Sequence, residues 1–251
     1  MSTQRSALLL NCDLGESYGS WTMGLDEQAM PHIDLANIAC GFHAGDPEVM
    51  ARTLQLAKQH GVGIGAHPSY PDLQGFGRRS MQCSSAEIIN LIHYQVAALD
   101  GMAQCYGMSL SYIKPHGALY NDMMRSDAVW QAVLTAVASY HKPLKLMILA
   151  TAEAARYQQQ AAALGVSLWF EAFADRRYTA AGTLTPRSQA GAVLHGAEVM
   201  AQVKQLLITG TVTTDCGQAL ALQADTLCVH GDNPAAIKQL TAISALLQSC
   251  P

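Results

Sequence analysis

Seven short apolar runs recur along the 251-residue chain, and a longer segment with helical periodicity separates each run from the next. The runs cover residues 8–12, 35–39, 62–66, 110–113, 144–149, 168–172 and 226–229. Each is nearly continuous in hydrophobicity, as is typical of parallel strands buried on both faces. Strands that alternate with helices in this way predict an α/β fold with a parallel sheet.

The helical segments carry recognisable start and stop signals. Asp46 precedes Pro47 at the first helical position, and Gly61 follows the last residue of that segment. Ser84 and Glu87 have the spacing of a capping box. Further start signals are Ser126 and the Asn233-Pro234 pair. We therefore expect Asp46 to act as a helix cap, a role that leaves contact with a ligand open.

Polar side chains follow several of the predicted strands. His43, His67, His116 and His230 each lie where an apolar run gives way to a turn containing Gly or Pro, and Asp13 follows the first run. An α/β barrel collects such residues at the carboxyl ends of its strands, whereas an open sheet concentrates ligands at one switch point. Periodicity alone does not decide closure. The number of polar strand ends favours one barrel domain over residues 1–251.

Composition excludes several classes of protein. Half of the residues are hydrophobic, the net charge is -4, and no Lys/Arg block is present, which argues against a nucleic-acid partner. No signal-peptide pattern and no apolar stretch of about 18 residues occurs, so we expect a soluble, cytoplasmic chain without membrane contact. The seven scattered cysteines predict reduced thiols, mostly in the core. Neither a dinucleotide fingerprint nor a P-loop is present.

The strand-end histidines and acids are candidates for metal binding or proton transfer. Neutral imidazole serves both purposes near neutral pH, although a single histidine here could equally be a hydrogen-bonded turn residue. A carboxylate at Asp13 or Glu16 could bind a divalent ion or act as a general base. The alternative for Asp13 is capping of the following turn.

Several cations are placed to bind an anion. Lys114 ends the fourth run, where burial would require an anionic partner, although the side chain could also reach out to solvent. Arg78 and Arg79 lie in a glycine-containing loop that could clamp an anion or be an ordinary solvated turn. The polar segment 173–186 is long enough to indicate a functional loop. The charged residues in and around it, which could also be structural ion pairs, are Glu171, Asp175, Arg176 and Arg187.

Taken together, the motifs resemble the LamB/YcsF family from about residue 9 to 233. The matching stretches are LNCDLGE, ANIACGFHAGDP, GAHPSYPD, GFGRR, KPHGALY, EAFADR, LTPR and VHGD. Ala181 departs from the family pattern, in which many members carry Asp before the following glycine. The resemblance implies a seven-stranded β/α barrel like that of the glycoside hydrolase/deacetylase group. It also implies ATP-dependent cleavage of 5-oxo-L-proline to L-glutamate, with ADP and phosphate as products, in a complex with partner subunits B and C.

With this resemblance, each group of residues receives a hypothetical role. A lactam is a poor electrophile, and phosphorylation of its carbonyl oxygen by ATP with magnesium would prepare it for attack by water. We assign anion binding to Lys114 and to Arg78 or Arg79, and acid/base work to Asp13 and His116. His43, His67 and His230 would orient substrate or bind metal.

Two alternatives to ATP-dependent lactam cleavage remain open. One is a metal-dependent deacetylase or amidohydrolase that acts without ATP. Its divalent ion would be bound by Asp13, His43, His67 and His116. The other alternative is a non-catalytic subunit that binds the substrate for its partners.

Overall fold

Nine strands are present among the described residues, 8–231 and 233–249 of the computed structural model, and seven of them close into a barrel. The strands are β1 Leu9–Leu14, β2 Leu35–Ala39, β3 Gly63–His67, β4 Tyr112–Ile113, β5 Lys145–Leu149, β6 Leu168–Phe173, β7 Thr211–Thr213, β8 Ala219–Ala221 and β9 Thr226–Cys228. Barrel neighbours run parallel in the order β1, β2, β3, β4, β5, β6, β9, and β9 pairs with β1. Every predicted apolar run is a barrel strand whose ends differ by at most two residues. The predicted β/α barrel is therefore confirmed.

Helices surround the barrel, and the four that start at residues 47, 85, 127 and 234 begin where the sequence signals predict. They are α1 Asp26–Ala29, α2 Pro47–His60, α3 Ser85–Cys105, α4 Gly117–Arg125, α5 Asp127–Ala138, α6 Ala154–Ala163, α7 Ala197–Thr209 and α8 Pro234–Ser249. Asp46 caps α2 by accepting hydrogen bonds from the backbone N–H groups of Glu48 and Val49. Ser84 and Glu87 form the predicted capping box at α3. These caps satisfy backbone donors that the first helical turn leaves unpaired.

Side chains of β1 alternate between the two faces of the barrel wall. Leu10, Cys12 and Leu14 pack into the main core between the sheet and the helices. Asn11 and Asp13 instead turn toward the barrel axis, where both contact Asn37 of β2. A smaller apolar cluster fills the axis below them. Its members are Leu9, Leu35, Tyr112, Met147 and Trp169. The barrel interior is thus apolar at one end and polar toward the carboxyl ends of the strands.

A glycine in β3 makes room for the Tyr112 ring of this inner cluster. A Cβ atom at Gly65 would overlap with the ring of Tyr112, which is fully buried. The Tyr112 hydroxyl donates a 2.7 Å hydrogen bond to Asn37 Oδ1. Because position 65 has no side chain, the Tyr112 ring can pack in the apolar cluster while its hydroxyl bonds to the polar residues above it.

The long connection between β6 and β9 contains α7 and an antiparallel hairpin of β7 with β8 outside the barrel. Within the described ranges, no helix has the length and apolar character needed to cross a membrane. Of the described cysteines, Cys12, Cys40 and Cys228 are buried, whereas Cys105 and Cys216 are exposed, so the core accounts for only about half of them. Cys250 lies outside the described residues.

Candidate active site

A cleft of about 340 Å³ opens at the carboxyl ends of the barrel strands, where the sequence predicts the site. Its volume lies at the lower end of the range for small-molecule sites. Its charged and titratable lining comprises Asp13, Glu16, His67, Arg78, Lys114, His116, Tyr120, Arg125, Arg176, Arg187 and His230. The side chains come from β1, β3 and the segments that follow β1, β3, β4, β6 and β9. One small cleft therefore collects residues that are far apart in the sequence.

Lys114 lies on the floor of the cleft, where it is only 2% exposed. Its Nζ atom is 2.8 Å from Asp13 Oδ1 and 2.8 Å from Glu171 Oε1. Two carboxylates thus surround one ammonium group. Burial alone would lower the pKa of Lys114, but Asp13, Cys228 and Glu171 raise it well above its usual value. Lys114 is therefore a permanently charged partner of these acids, which already neutralise it.

The same ion pairs keep Asp13 ionised. Burial alone would raise the pKa of the Asp13 carboxyl, but His67 and Lys114 hold it well below its usual range. Asn37 Nδ2 donates a 2.8 Å hydrogen bond to Asp13 Oδ1, the oxygen that also contacts Lys114. Asp13 Oδ2 lies 3.4 Å from His67 Nε2. One carboxylate oxygen is thus fixed by the barrel floor, while the other faces the histidines.

A hydrogen-bonded network supports these charges from below. Tyr112 and Asn37 connect the floor to Asp13, and the Tyr120 hydroxyl donates a 2.9 Å bond to Glu171 Oε2. Asn37 also donates to Asn11 Oδ1 at 2.8 Å. The motifs at the strand ends do not identify these supporting residues. An asparagine inside an otherwise apolar strand is the sequence signal that could have found Asn11 and Asn37, because a buried amide requires partners.

His67 and His116 contact one another on one side of the cleft. His116 Nδ1 is 2.9 Å from His67 Nε2, and the two rings are nearly perpendicular, at 84°. The outer nitrogen of each ring contacts a backbone carbonyl: His67 Nδ1 lies 2.7 Å from Lys114 O, and His116 Nε2 lies 2.9 Å from Phe76 O. Burial lowers the pKa of His116 well below its usual value, so this ring is neutral near pH 7.

His43 and Glu16 complete this side of the cleft. The His43 ring stacks on His116 with centroids 3.7 Å apart and planes 3° from parallel. His43 Nε2 lies 3.5 Å from Glu16 Oε1, which is also 3.8 Å from His116 Nδ1. Burial lowers the pKa of His43 well below its usual value and raises that of Glu16. Three imidazoles and one carboxylate therefore share a largely dehydrated space.

Two positive-φ glycines set the position of His116. Gly77 and Gly117 have φ values of 63° and 56°, and a Cβ atom on Gly117 would overlap with Gly77 O. Gly77 O accepts a 2.8 Å hydrogen bond from Ala118 N. Phe76, whose carbonyl contacts His116, itself has the strained φ of 53°. The loop after β3 and the start of α4 are thereby held together around His116.

A second charged cluster forms the opposite wall. His230 Nδ1 donates a 2.6 Å hydrogen bond to Asp175 Oδ2, and Arg187 Nη2 lies 3.2 Å from His230 Nε2. Burial alone would lower the pKa of His230, but Asp175 raises it above its usual value. Arg176 is more deeply placed and donates to Thr185 O at 2.7 Å. Arg176 therefore fixes the loop backbone, whereas exposed Arg187 lies at the mouth of the cleft.

The two arginines of the glycine-containing loop have different environments. Arg78 lines the cleft, with its guanidinium carbon 4.9 Å from the Phe76 ring centroid. The Arg79 guanidinium is paired with Asp72, and its side chain is 65% exposed. Of the two arginines proposed as alternatives for anion binding, the geometry thus favours Arg78.

Most of the candidate residues predicted from sequence converge on this site. The structure brings together Asp13, His43, His67, Arg78, Lys114, His116, Glu171, Asp175, Arg176, Arg187 and His230. Glu16 also belongs to the cluster, and the polar lining includes Tyr120 and Arg125, which the sequence motifs do not single out. Asp46 has its predicted cap role. Asp232, another residue that precedes a helix, lies outside the described residues.

The fold and the cleft define a closed β/α barrel with acids, histidines and arginines at the carboxyl ends of its strands. Residues 8–250 match the LamB/YcsF family, and the chain belongs to that family. A solved structure, the lactam utilization protein from Thermus thermophilus, has a TM-score of 0.88 and 37% sequence identity, with 96% of each chain covered.

Similar proteins also carry a shared name. A Pseudomonas putida protein that is named as an A subunit of 5-oxoprolinase is 56% identical over 241 residues, which cover 96% of this chain and 93% of that protein. A Vibrio cholerae protein with the same name is 54% identical over 244 residues, which cover 97% of this chain and 98% of that protein. These names describe the relatives as components of a 5-oxoprolinase.

Proposed function

We propose that this chain is the A subunit of an ATP-dependent 5-oxoprolinase. In this reaction 5-oxo-L-proline is cleaved to L-glutamate while ATP, supplied as its magnesium complex, is hydrolysed to ADP and phosphate. The chain acts with partner subunits B and C in the cytoplasm. The names of its full-length relatives support this assignment.

The observation that carries the proposal is the placement of guanidinium groups around an ionised carboxylate. Arg78, Arg125 and Arg187 line the same cleft as Asp13. Guanidinium groups bind carboxylates and phosphates through paired, charge-assisted hydrogen bonds. A substrate with a carboxylate and an amide that becomes phosphorylated needs cations at the mouth and a proton acceptor on the floor.

The geometry redistributes the roles that the sequence suggested. Because Asp13 and Glu171 already neutralise Lys114, we assign anion binding to Arg78 and Arg187. Lys114 instead keeps Asp13 ionised and fixed. Asp13 Oδ2 takes the proton from the attacking water and passes it to the lactam nitrogen as the C–N bond breaks. His116, whose outer nitrogen contacts Phe76 O, has a positioning role. When its ring is neutral, His230 accepts a 3.2 Å hydrogen bond from Arg187 through Nε2 and so orients the guanidinium group.

The order of bond changes follows from lactam chemistry. The lactam carbonyl oxygen attacks the γ-phosphoryl group, and ADP leaves. Water then attacks the activated carbon, and the C–N bond breaks as the nitrogen takes up a proton, which leaves γ-glutamyl phosphate. A second water hydrolyses this acyl phosphate to glutamate and phosphate. A cleft of about 340 Å³ suits the compact lactam. We assign most of the nucleotide site to the partner subunits, because the sequence lacks a P-loop.

The test is glutamate release by this chain reconstituted with subunits B and C, measured with and without ATP. Arg187→Ala should raise KM for 5-oxoproline about tenfold to a hundredfold, the cost of one charge-assisted hydrogen bond of about 1.5–3 kcal/mol. Arg52→Ala, an exposed position on α2, is the matched control and should leave KM unchanged.

Other outcomes would identify the competing functions. ATP-independent release of glutamate that stops after chelation would favour the metal-dependent amidohydrolase. Calorimetric binding of 5-oxoproline together with normal turnover in Asp13→Asn and His116→Gln complexes would favour a non-catalytic binding subunit. Failure to release glutamate under any of these conditions would refute the proposed function.

A further inference from the structure

His67 Nε2 and His116 Nδ1 face one another, and in neutral rings neither of these two nitrogens carries a hydrogen. A backbone carbonyl only accepts hydrogen bonds, so His67 Nδ1 and His116 Nε2 must carry hydrogens to bond Lys114 O and Phe76 O. In two neutral rings, His67 Nε2 and His116 Nδ1 then both present lone pairs. These atoms are only 2.9 Å apart. Two lone pairs at that distance repel unless a cation lies against both.

The distance and ring orientation fit a metal ion as that cation. Two imidazole nitrogens, each about 2.0–2.1 Å from a metal, lie roughly 2.9–3.4 Å apart when the angle at the metal is between a right angle and a tetrahedral angle. The observed separation of 2.9 Å falls at the lower end of this range, and the rings stand at 84° to one another. A carbonyl behind the outer N–H of each ring is the usual second partner of a metal-binding histidine.

Glu16 supplies the third donor. Its Oε1 atom is buried without a hydrogen-bond partner among the described residues, and it lies 3.8 Å from His116 Nδ1. An unpaired buried carboxylate oxygen is costly, and metal coordination would remove that cost. Asp13 Oδ2 lies 3.4 Å from His67 Nε2, but Asp13 is already paired with Lys114 and Asn37, whereas Glu16 Oε1 has no hydrogen-bond partner among the described residues. We therefore choose Glu16 as the ligand.

His43 has a different position from the other two histidines. Its ring is parallel to His116, so the nitrogens of both rings cannot point in their own planes at one ion in this arrangement. Neither nitrogen of His43 has a hydrogen-bond partner among the described residues, but Nε2 is 3.5 Å from Glu16 Oε1. His43 is therefore placed to orient the carboxylate, as supporting groups do around metal ligands.

We propose that Glu16, His67 and His116 bind one divalent transition-metal ion, with His43 as the residue that positions Glu16. Two imidazoles and one carboxylate suit Zn²⁺, Co²⁺, Mn²⁺ or Fe²⁺ better than Ca²⁺ or Mg²⁺, which prefer all-oxygen sites. Such an ion, with coordination positions open to the cleft, would polarise a carbonyl oxygen or lower the pKa of a bound water. The sequence suggested Asp13, His43, His67 and His116 as metal ligands. In the proposed site Glu16 takes the place of Asp13, and His43 supports a ligand instead of binding the ion.

Metal binding is measured on the full chain alone, without ATP, 5-oxoproline or partner subunits, so the result does not depend on the proposed function. Chelator-treated protein is titrated with Co²⁺ and followed by visible d–d absorption and by calorimetry. We expect one equivalent to bind, and a coordination spectrum that Zn²⁺ abolishes by competition. Glu16→Gln and His116→Gln should each weaken Co²⁺ binding at least a hundredfold. His43→Gln should weaken it about tenfold, in line with removal of a supporting partner.

His141→Gln is the control for loss of a histidine, because the His141 side chain is 64% exposed and lies outside the cluster. It should bind Co²⁺ as the wild type does. Circular dichroism checks that each variant is folded, and Glu16→Gln, which keeps the side-chain shape, is the reference if a histidine variant unfolds. Absence of a stoichiometric Co²⁺ site in folded wild-type protein would overturn the inference. The short contact between His67 and His116 would then be explained by a proton shared between the two rings. Undiminished binding in Glu16→Gln and His116→Gln would overturn it as well.

Discussion

Replacement of Lys114 by Met should destabilise the protein strongly, because it removes the one ammonium group that separates Asp13 from Glu171. Lys114 is 2% exposed and lies 2.8 Å from an oxygen of each acid. Removal of one partner from a buried ion pair costs about 3–5 kcal/mol. For a chain of this size that loss corresponds to a fall in Tm of about 6–20 °C, at roughly 2–4 °C per kcal/mol. The measurement is urea unfolding at neutral pH, analysed at constant m-value.

The deficit in the free energy of unfolding should also depend on pH. In the wild type, His67 and Lys114 hold the pKa of Asp13 well below its usual value, against the effect of burial. That contribution is present above the ordinary pKa of Asp and is lost as pH falls through the lowered folded value. Without Lys114 the pKa of Asp13 in the folded variant rises. The gap between wild type and Lys114→Met should therefore be widest near neutral pH and narrow on acidification.

Two further variants separate charge from packing. Lys114→Met combined with Asp13→Asn and Glu171→Gln should recover at least half of the lost stability, because no unpaired buried charge remains. Lys204→Met, at an exposed position of α7, should stay within about 0.5 kcal/mol of wild type. A deficit below about 1 kcal/mol for Lys114→Met, or one that does not change between neutral and acidic pH, would refute the ion-pair reasoning.

Three other predictions concern the scaffold and the second wall of the cleft. Gly65→Ala should cost at least about 1–3 kcal/mol in urea unfolding because its Cβ would overlap with the Tyr112 ring; wild-type stability would contradict the packing described. Ser84→Ala should cost about 0.5–2 kcal/mol through loss of the capping box on α3, and an unchanged urea midpoint would count against it. Asp175→Asn should be most destabilising at pH values between the lowered pKa of Asp175 and the raised pKa of His230, because the attraction needs both charges. The attraction is lost as pH falls through the pKa of Asp175, and it is also lost as pH rises through the pKa of His230. A pH-independent deficit, measured by urea unfolding across that interval, would contradict the pairing.

The parallel barrel could be predicted from the chain because its signals are local. Continuous apolar runs identify buried strands, and Asp46, Gly61 and Ser84 mark helix ends through contacts within a few residues. The position of the site follows for the same reason, since parallel strands present their carboxyl ends at one face. Most of the candidate residues therefore meet in space as expected.

The partners within the site could not be predicted, because pairing across a barrel depends on register and side-chain direction. Lys114 looked suited to bind an external anion, yet the barrel places Asp13 and Glu171 against it from β1 and β6. Arg78 and Arg79 are neighbours in sequence, but Arg78 lines the cleft whereas Arg79 pairs with Asp72. Tyr112 supports Asn37 through a hydrogen bond that depends on the room left by Gly65 on a neighbouring strand, and the local sequence does not show that contact.

The two walls of the cleft differ in how tightly they are tied to the scaffold. On the histidine side, Gly77 O bonds to Ala118 N, and Phe76 O contacts the ring of His116, so two consecutive connections move as one body. The other wall ends in an exposed stretch around Arg187, beyond the bonds that anchor Arg176. Changes in the width of the entrance should therefore come from the Arg187 side. A ligand too large for the resting cleft would enter past Arg187 without altering the spacing of the histidines, so the width of the entrance and the geometry of the histidine cluster can vary independently in this barrel.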